Sequence, residues 1–404
     1  MYNKHIKSLQ AWRGLAAFTL VIYHFPTNSF LHQNSYVQSG LLLVIFFFVL
    51  SGFVLGLNYY DKLYNFSLFK NFMNRRFLRL YPIHIVLLFI YALLEVSKYI
   101  FSHYSGISLS NGRPPFTGHM NLEYLVQSLL LVQGLFSQIF VWNPVDWSIS
   151  TEFYTYIIFG LILCFSKKNS IFYILFFVLL FLAIDQRHLI DAFDSYSKYV
   201  DNSPESFICH HQGCSTNWIH RYIFGWETNF PNYSTISYFF SQTIYGFFIG
   251  IIINLFYRKF SNLKISEIFC WISLIITIYF ICVGTHLTYY LLLFGILILS
   301  SCYLDENSIL GKILNSGALQ FLGKISYSLY MIHQLIGYVF KQFLKIVIKV
   351  DANLTENNTA ESYNFSQIEA TFYTLVYIFI SLMAASILYY YVENKFRIKS
   401  NLVN

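Results

Sequence analysis

Long apolar runs recur along the whole chain, and they constrain its fold more than any other feature. An α-helix needs about 20 mainly apolar residues to cross the roughly 30 Å hydrocarbon core of a bilayer. Ten runs are close to that length: 9–26, 38–58, 80–101, 147–165, 170–185, 236–257, 265–284, 288–304, 319–343 and 369–392. Only 11% of the residues are charged, about half the share that is usual in a soluble protein. We therefore predict an all-α, polytopic membrane protein, a single domain over residues 1–404 built as a bundle of about ten transmembrane helices.

The basic residues indicate how this bundle is oriented. Lysine and arginine concentrate in cytoplasmic loops of membrane proteins. An eleventh apolar run, 122–140, decides the pattern: if it does not cross, every basic cluster lies on one side, including 62–79, 167–168 and 258–264. We interpret 122–140 as a re-entrant or outer-half segment that is sheltered by protein. Both chain termini are then predicted to be cytoplasmic.

The first apolar run contains two polar side chains that a bilayer disfavours. Arg13 and His24 are eleven residues apart, so they project from one helix face, roughly 16 Å apart along the axis. Such residues normally face a protein interior or a water-filled cavity. One interpretation is that Arg13 reaches a lipid headgroup and His24 bonds a neighbouring helix. The other is that both line a reaction chamber inside the membrane.

Three arginines lie where the third run begins at the predicted cytoplasmic face. Arg75, Arg76 and Arg79 are three or four residues apart, so a helix groups them on one side. They could be ordinary cytoplasmic basic residues. Alternatively, their planar guanidinium groups form a phosphate clamp, for which arginine suits better than lysine. With Arg13 at the same depth, we favour a cytoplasmic anionic ligand.

The stretch Asp146-Trp-Ser-Ile-Ser-Thr-Glu-Phe153 enters a predicted span from outside. If Trp147 marks the membrane interface, Glu152 lies about 7 Å below it, at a depth similar to that of His24. A carboxylate beside an imidazole fixes its tautomer and raises its basicity, as a general base requires. The alternative is that Glu152 pairs with another polar group for packing.

Four further stretches contain candidate residues. Ser326, Tyr330 and His333 share one face of a predicted helix and are expected to line the same cavity, whereas Ser51-Gly52 is expected to serve close helix packing. His84 is interpreted as a histidine of the core. In the predicted outer loop 186–235, the stretch Cys209-His-His-Gln-Gly-Cys214 leaves two interpretations open, a local disulfide and a zinc site.

Five of these stretches together resemble the acyltransferase 3 family of integral-membrane acyltransferases. They are Arg13 to His24, Phe47-Phe-Val-Leu-Ser-Gly-Phe, Arg76-Phe-Leu-Arg79, Trp147-Ser-Ile-Ser-Thr-Glu152 and Ile325-Ser-Tyr-Ser-Leu-Tyr-Met-Ile-His333, spread over nearly the whole chain in the family's order. Near the end, Lys395 stands where a proline is common in the family. No appended hydrolase-type domain is recognised, so a stand-alone member is expected.

The resemblance implies an activity and a location. A ten-span bundle would move an acyl group, usually acetyl from acetyl-CoA, onto a hydroxyl of a surface or lipid-linked glycan. Many members modify lipopolysaccharide O-antigen or capsule, which places the chain in a bacterial inner membrane. The acyl-CoA is a co-substrate in this reading, and neither a metal nor nucleic acid is expected as a partner. The oligomeric state is not predicted.

Each candidate residue receives a role in this reading. The CoA phosphates would be held by Arg13, Arg75, Arg76 and Arg79. His24, supported by Glu152, would be the general base, and a variant with a transient acyl-histidine uses the same residues. The substrate channel would be lined by Trp147, Ser148, Tyr330 and His333. The rival class is a transporter or flippase of a polysaccharide precursor, which also needs polar intramembrane residues.

Overall fold

The computed structural model describes residues 6–105, 114–136, 141–183, 238–261, 263, 265–283, 287–347, 352–354, 361–363 and 365–397. The helices in the first part are α1 Lys7–Tyr23, α2 Ser35–Gln38, α3 Leu42–Tyr59, α4 Phe66–Ser105, α5 Leu122–Leu129, α6 Gln133–Phe136, α7 Trp147–Ser166 and α8 170–183. They are followed by α9 Tyr238–Lys259, α10 Glu267–Val283, α11 Leu287–Cys302, α12 Ile309–Leu314, α13 Gly317–Val347 and α14 Gln367–Leu388.

The remaining elements are short. Turns of 3₁₀ helix occur at Gly118–Met120 and Lys167–Asn169, and a π-helical turn, Tyr389–Glu393, follows α14. Strands β1 Ala352–Leu354 and β2 Glu361–Tyr363 pair antiparallel, with Asn353 opposite Ser362. The predicted helical fold is confirmed for the described residues, apart from this small ladder. The predicted motif at 209–214 lies outside them.

Five helical stretches are long and apolar enough to cross a membrane: Leu42–Tyr59, Phe66–Tyr104, Trp147–Ala183, Phe239–Lys259 and Gln367–Arg397. Two shorter apolar helices, Glu267–Val283 and Tyr289–Cys302, accompany them. All seven coincide with predicted spans. Length and apolarity therefore support a helical membrane protein, whereas they do not establish ten crossings.

Helix α10 shows the burial pattern of a membrane helix. The small or polar side chains of Cys270, Ser273 and Thr277 face the protein interior. Large apolar side chains point outward at helical spacing, with Ile268 69% exposed and Ile275 61% exposed. A soluble protein rarely exposes apolar surface of this kind, whereas the hydrocarbon core of a bilayer accommodates it.

The chain reverses direction between α7 and α8. Trp147 at the start of α7 packs on Phe239, with ring centroids 4.3 Å apart. Phe181 near the end of α8 packs on the adjacent Phe240, with centroids 6.0 Å apart. Both ends of the stretch 147–183 therefore meet the same end of α9. The 3₁₀ turn at Lys167–Asn169 is the point of reversal, as the two separate predicted runs 147–165 and 170–185 require.

The segment after α4 forms two short helices where the sequence shows the eleventh apolar run. Helix α5 has 8 residues, or about 12 Å, which is too short to cross a hydrocarbon core of roughly 30 Å. Leu131 then adopts a positive φ of 56°, which ends the helical path before α6. Helix α4 holds this segment through Tyr81, whose hydroxyl donates to Leu129 O. Residues 137–140 lie outside the described part.

The centre of the bundle depends on close helix crossings at glycine. Helices α1 and α13 cross where a Cβ on Gly14 would come within 2.6 Å of Gly323 N. Helices α3 and α9 cross where a Cβ on Gly52 would overlap the carbonyl oxygen of Phe247. Small residues let helix backbones approach in this way. The prediction that Gly52 serves close packing agrees with this contact.

Helices α1 and α13 run parallel in constant register. Gln10 donates to Gln320 O at 2.8 Å, and Arg13 Nη2 donates to Gly323 O at 2.9 Å. Ten residues beyond the Gly14–Gly323 crossing, the same pair of helices meets again at His24 and His333. Arg13 and His24 therefore both face α13, as their predicted position on one helix face requires.

Candidate functional site

The structure brings two histidines, His24 and the buried His333, together at the end of α1. His333 Nε2 lies 3.1 Å from His24 Nδ1, and the ring centroids are 4.9 Å apart. His24 Nδ1 also lies 3.0 Å from Leu20 O, and His333 Nδ1 lies 3.3 Å from Leu329 O. His333 is fully buried, whereas His24 is partly exposed. The sequence placed His333 only among the residues of a channel wall.

The hydrogen bonds of this pair assign its protons. A carbonyl oxygen can only accept, so Leu20 O requires a proton on His24 Nδ1, and Leu329 O requires one on His333 Nδ1. The neutral His333 ring then presents an Nε2 lone pair to the His24 N–H. In the neutral His24 ring, the lone pair consequently resides on Nε2. This nitrogen is the one that can take a proton.

Tyr330 links the histidine pair to the start of α7. Its ring centroid is 6.0 Å from that of His333, and its hydroxyl donates to Ser148 Oγ at 2.9 Å and Val145 O at 3.3 Å. Tyr330 and Ser148 are buried. Of the further channel candidates, Tyr330 thus lies next to His333, and Ser148 lies next to Tyr330.

Trp147 occupies a packing position rather than a membrane surface. It is 8% exposed, and its ring packs on Phe48 at 6.2 Å and on Phe239 at 4.3 Å between centroids. The residues that precede it are also buried, Asn143 and Asp146 being each 1% exposed. The burial of Trp147 thus gives no support for using it as an interfacial marker from which depths are counted.

The structure gives Glu152 a contact other than the predicted one with His24. The carboxylate of Glu152 accepts a hydrogen bond from Tyr156, whose hydroxyl also lies 3.0 Å from Ser51 Oγ. The next residue, Phe153, packs on Phe77 with ring centroids 6.2 Å apart. Phe153 and Tyr156 thus place Glu152 near the arginine row, whereas His24 contacts His333.

The distance between Glu152 and the histidines follows from helix geometry. Ser148 bonds Tyr330, and Glu152 lies four residues further along α7, toward the arginines. His333 lies three residues beyond Tyr330 in the opposite direction along the bundle. At 1.5 Å rise per residue, the two side chains are offset by roughly 10 Å along the helix axes.

The four predicted phosphate-binding arginines lie at the end of the bundle opposite to the histidines. Arg13 belongs to α1, and Arg75, Arg76 and Arg79 form a half-buried row near the start of α4. The guanidinium of Arg76 lies over the Tyr59 ring at 5.5 Å and donates weakly to its hydroxyl at 3.5 Å. Electrostatic interactions connect Arg13 with Arg79, Arg397, Glu393 and Glu152. These arginines thus form one charged cluster with two acidic side chains.

Two guanidinium groups of this cluster keep unused hydrogen-bonding capacity. Within the described residues, the buried Nε atoms of Arg13 and Arg76 have no hydrogen-bond partner. A buried N–H without a partner costs about 1–3 kcal/mol, more for a charged group, so such groups are usually satisfied by a ligand or by water. Their chemistry fits a phosphate, which accepts charge-assisted hydrogen bonds from arginine.

Sequence reasoning missed two residues of this cluster. Tyr156 lies one helical turn after Glu152, and this spacing of four residues was the available signal for their contact. Glu393 is 5% exposed and accepts a hydrogen bond from Ser328 Oγ at 2.6 Å. It lies in the π-helical turn after α14, a geometry that occurs frequently at functional sites but has no clear sequence pattern.

A metal centre is not formed by the described part of the chain. No group of three or more His, Cys, Asp or Glu side chains converges there in a way that could hold an ion. The histidine pair supplies two nitrogen atoms that contact each other, which is a hydrogen-bonded arrangement rather than a coordination sphere.

Fold and site together define a helical membrane protein with buried acid–base side chains at one end of its bundle and an arginine cluster at the other. The acyltransferase domain that characterises the acyltransferase 3 family matches residues 6–391. The chain belongs to this family.

A comparison with curated proteins agrees with this membership. The acyltransferase MdmB of Streptomyces mycarofaciens is 30% identical over 166 residues. The aligned region is 39% of this chain and 38% of that relative, so less than half of either protein is compared. No solved structure matches the chain.

Proposed function

We propose that the protein transfers an acetyl group from cytoplasmic acetyl-CoA to a hydroxyl of a surface or lipid-linked glycan. The observation that carries this proposal is the His24–His333 pair, with its nitrogens 3.1 Å apart. It supplies a base inside an apolar bundle, about 16 Å along α1 from Arg13. Family membership supports acyl transfer, and the donor, the acceptor and the base are our additions.

The arginine end of the bundle would bind the donor. Arg13 and Arg76 keep buried N–H groups for phosphate oxygens, and Arg75 and Arg79 add charge on the same side of α4. Phosphates held there would orient the donor so that its acyl end points into the bundle toward His24. Phosphate contacts that are equally strong in the bound donor and in the transition state raise mainly the affinity for the donor. Correct placement of the thioester raises the rate of transfer.

The histidine end would perform the transfer. His24 Nε2 takes the proton of the acceptor hydroxyl while the hydroxyl oxygen forms a bond to the carbonyl carbon of the thioester. The carbon–sulfur bond then breaks, the thiolate leaves, and it receives the proton from the His24 imidazolium. His333 would hold His24 in the required tautomer and stabilise the imidazolium through its Nε2 lone pair. In the alternative path, His24 Nε2 attacks the thioester itself and then passes the acetyl group to the hydroxyl.

Glu152 would act at the donor end and not as a partner of His24. Its carboxylate lies among the arginines and accepts the Tyr156 hydroxyl. A negative charge there limits the net positive charge of the cluster when no donor is bound. It would also hold the arginine side chains in one arrangement.

We place the protein in a bacterial inner membrane with both termini cytoplasmic. This orientation puts the arginine cluster at the cytoplasmic face, where acetyl-CoA is available, and the histidine pair toward the outer leaflet. The bias of lysine and arginine toward the cytoplasm supports it. Tyr330, Ser148 and Trp147 would then lie along the route by which the acceptor reaches His24.

Purified protein in lipid nanodiscs with acetyl-labelled acetyl-CoA tests the proposal. We expect transfer of label to a glycan acceptor, or slow hydrolysis of acetyl-CoA without acceptor, and neither reaction with the His24→Ala variant. If reconstituted vesicles moved a glycan precursor without consuming acetyl-CoA, the protein would be a transporter instead. Glycan from a deletion strain that retained all its acetyl groups would contradict the proposed acceptor class.

A further inference from the structure

A second pair of buried ionisable side chains lies outside the proposed site. His84 on α4 and Asp146 just before α7 are each 1% exposed, with His84 Nδ1 3.6 Å from Asp146 Oδ2. His84 Nε2 lies 2.9 Å from Ser128 O. In the described part of the chain, Asp146 Oδ2 has no closer polar partner than His84. The proposed acyl transfer does not use either residue.

The hydrogen bond to Ser128 limits where the protons of this pair can be. Ser128 O can only accept, so His84 Nε2 carries a proton. The Nδ1 atom then either bears a lone pair, opposite a protonated carboxyl, or a second proton, opposite a carboxylate. Moving two charges out of water costs several kcal/mol per ion, and only excellent geometry with further hydrogen bonds offsets that cost. At 3.6 Å, and with Oδ2 otherwise unpartnered, the neutral form is favoured.

The surroundings of Asp146 agree with a neutral carboxyl. Burial raises the pKa of the Asp146 carboxyl well above its usual range. The titratable groups that face it are His84 and Tyr91 from α4 and Tyr330 from α13. The amide of Gln133 donates to the backbone oxygen of Asp146 at 3.2 Å. The Gln133 side chain also interacts with the Asp146 carboxyl and lowers its pKa, but burial has the larger effect. These neighbours include no residue that carries a fixed positive charge.

The pair is connected to the histidine site by a short path. Asp146 adjoins Val145, and Val145 O and Ser148 Oγ both accept from the Tyr330 hydroxyl. Tyr330 lies one turn before His333 on α13. A shift of Asp146 therefore shifts the two groups that hold Tyr330. His84 in turn fixes Asp146 to α4 and, through Ser128, to the end of α5.

We propose that Asp146 is a protonated carboxyl facing the Nδ1 lone pair of His84, to which its O–H can donate once the 3.6 Å separation shortens, and that this pair is a positioning element that holds Tyr330 beside the His24–His333 pair. The effect on turnover rests on the proposed acyl transfer. The protonation state does not, and it can be tested on protein without any substrate.

Infrared spectroscopy of the purified protein tests the protonation state. We expect a C=O band of a protonated carboxyl at neutral pH that disappears in the Asp146→Asn variant. A wild-type spectrum in which Asp146 contributes only carboxylate bands would overturn the proposal. If this band is found but no acyl transfer occurs, the proposed function fails and the neutral pair stands.

Two substitutions at Asp146 test the positioning role. The amide of Asp146→Asn can still donate to His84 Nδ1, so this variant should keep most of its turnover. Asp146→Ala cannot donate, and we expect kcat to fall about 10- to 100-fold, as misplacement of site groups by about 1 Å can cause, while KM for acetyl-CoA stays unchanged. Wild-type turnover in the Ala variant, or an equal loss in the Asn variant, would overturn the role.

A pH profile provides a measurement that a purely structural role would not change. Burial raises the pKa of the Asp146 carboxyl, so if it is protonated at neutral pH, as proposed, the wild type should lose turnover on the alkaline side of its profile as this proton is removed. Asn has no proton to lose, so Asp146→Asn should lack that alkaline decrease. An identical alkaline decrease in the wild type and in Asp146→Asn would contradict the proposed proton on the Asp146 carboxyl. This comparison holds even if Asp146→Ala fails to fold.

The Glu95–Lys98 pair offers a matched control. It also lies on α4, is largely buried at 2.5 Å, and also holds the segment after α4, since Phe116 N donates to Glu95 Oε2 at 3.0 Å. Its contact with α13 is at Tyr338, over whose ring Lys98 lies, eight residues beyond Tyr330. Glu95→Gln should therefore reduce thermal stability without changing the alkaline limb or kcat. A loss of kcat in this control equal to that of Asp146→Ala would mean that any damage to the segment lowers turnover.

Discussion

His333 Nε2 lies 3.1 Å from His24 Nδ1, so each ring fixes the orientation of the other at the end of the bundle opposite the arginines. We expect His24→Ala to remove nearly all acyl transfer, and His333→Ala to lower it about 10²- to 10⁴-fold, the usual range for loss of acid–base assistance. Residues that act as one unit are not additive. The double variant should thus be little slower than His24→Ala. Losses that multiply, measured as kcat/KM at equal protein abundance, would mean that the histidines act independently.

Arg76 should contribute to donor affinity and not to acceptor affinity. Its Nε is buried without a partner in the described residues, and a charge-assisted phosphate contact is worth about 1.5–3 kcal/mol. Arg76→Ala should therefore weaken acetyl-CoA binding about tenfold or more, measured by calorimetry. Arg258→Ala is the matched control, because Arg258 pairs with Asp61 and with carbonyl oxygens of α3 instead. Unchanged donor affinity with weaker acceptor binding would contradict the assignment.

Glu152 and Tyr156 should act together. Removal of either partner ends the same hydrogen bond, so the Glu152→Ala and Tyr156→Phe losses in kcat/KM should show a coupling of about 0.5–3 kcal/mol in a double-mutant cycle. Glu152→Ala and His333→Ala should instead add, because roughly 10 Å separates their positions along the bundle. The reverse pattern of couplings would restore Glu152 as the partner of the histidines.

Gly52 should tolerate no side chain. A Cβ there would overlap Phe247 O at the crossing of α3 and α9, so Gly52→Ala must force the helices apart. We expect a loss of about 1–3 kcal/mol of stability or a failure to accumulate, measured by thermal melts and membrane abundance. Gly317→Ala is the control, since a Cβ at Gly317 meets nothing within 4 Å. Equal behaviour of the two variants would disprove the tight crossing.

The membrane orientation can be tested with two exposed serines on either side of α3. Ser35 precedes the helix and Ser67 follows it, and both are exposed. In a cysteine-free background, Ser35→Cys should react with an impermeant thiol reagent on intact cells, and Ser67→Cys only after permeabilisation. The opposite labelling would invert the proposed topology.

Much of the fold could be predicted because apolar runs report on membrane helices directly. The runs at 38–58 and 236–257 became α3 and α9 with small shifts of their ends. The spacing of Arg13 and His24 also predicted their common face correctly, since helical geometry alone determines it. The number of crossings depends on helix lengths and tilts that apolarity alone does not define.

The depth of Glu152 could not be predicted, because it depends on tertiary contacts. Trp147 looked like an interfacial tryptophan, yet Phe48 and Phe239 bury it. The preceding segment covers this end of α7 and places Glu152 among the arginines. The pairing of His24 with His333 likewise depends on the register of α1 against α13, which two glycines 309 positions apart create without any visible pattern in the sequence.

The constant register of α1 and α13 fixes the distance along these helices between Arg13 and His24. The contacts Gly14–Gly323 and His24–His333 join residues with the same separation, so a slip of one helix by a single residue would break both together. The stretch from Arg13 to His24, about 16 Å, is therefore fixed by the backbone and not by flexible side chains. A donor held by its phosphates at Arg13 brings its thioester to His24 only if its arm spans that stretch. In the proposed reaction, the helix pair would thus set the carrier length that a donor needs, independently of the acyl group it brings.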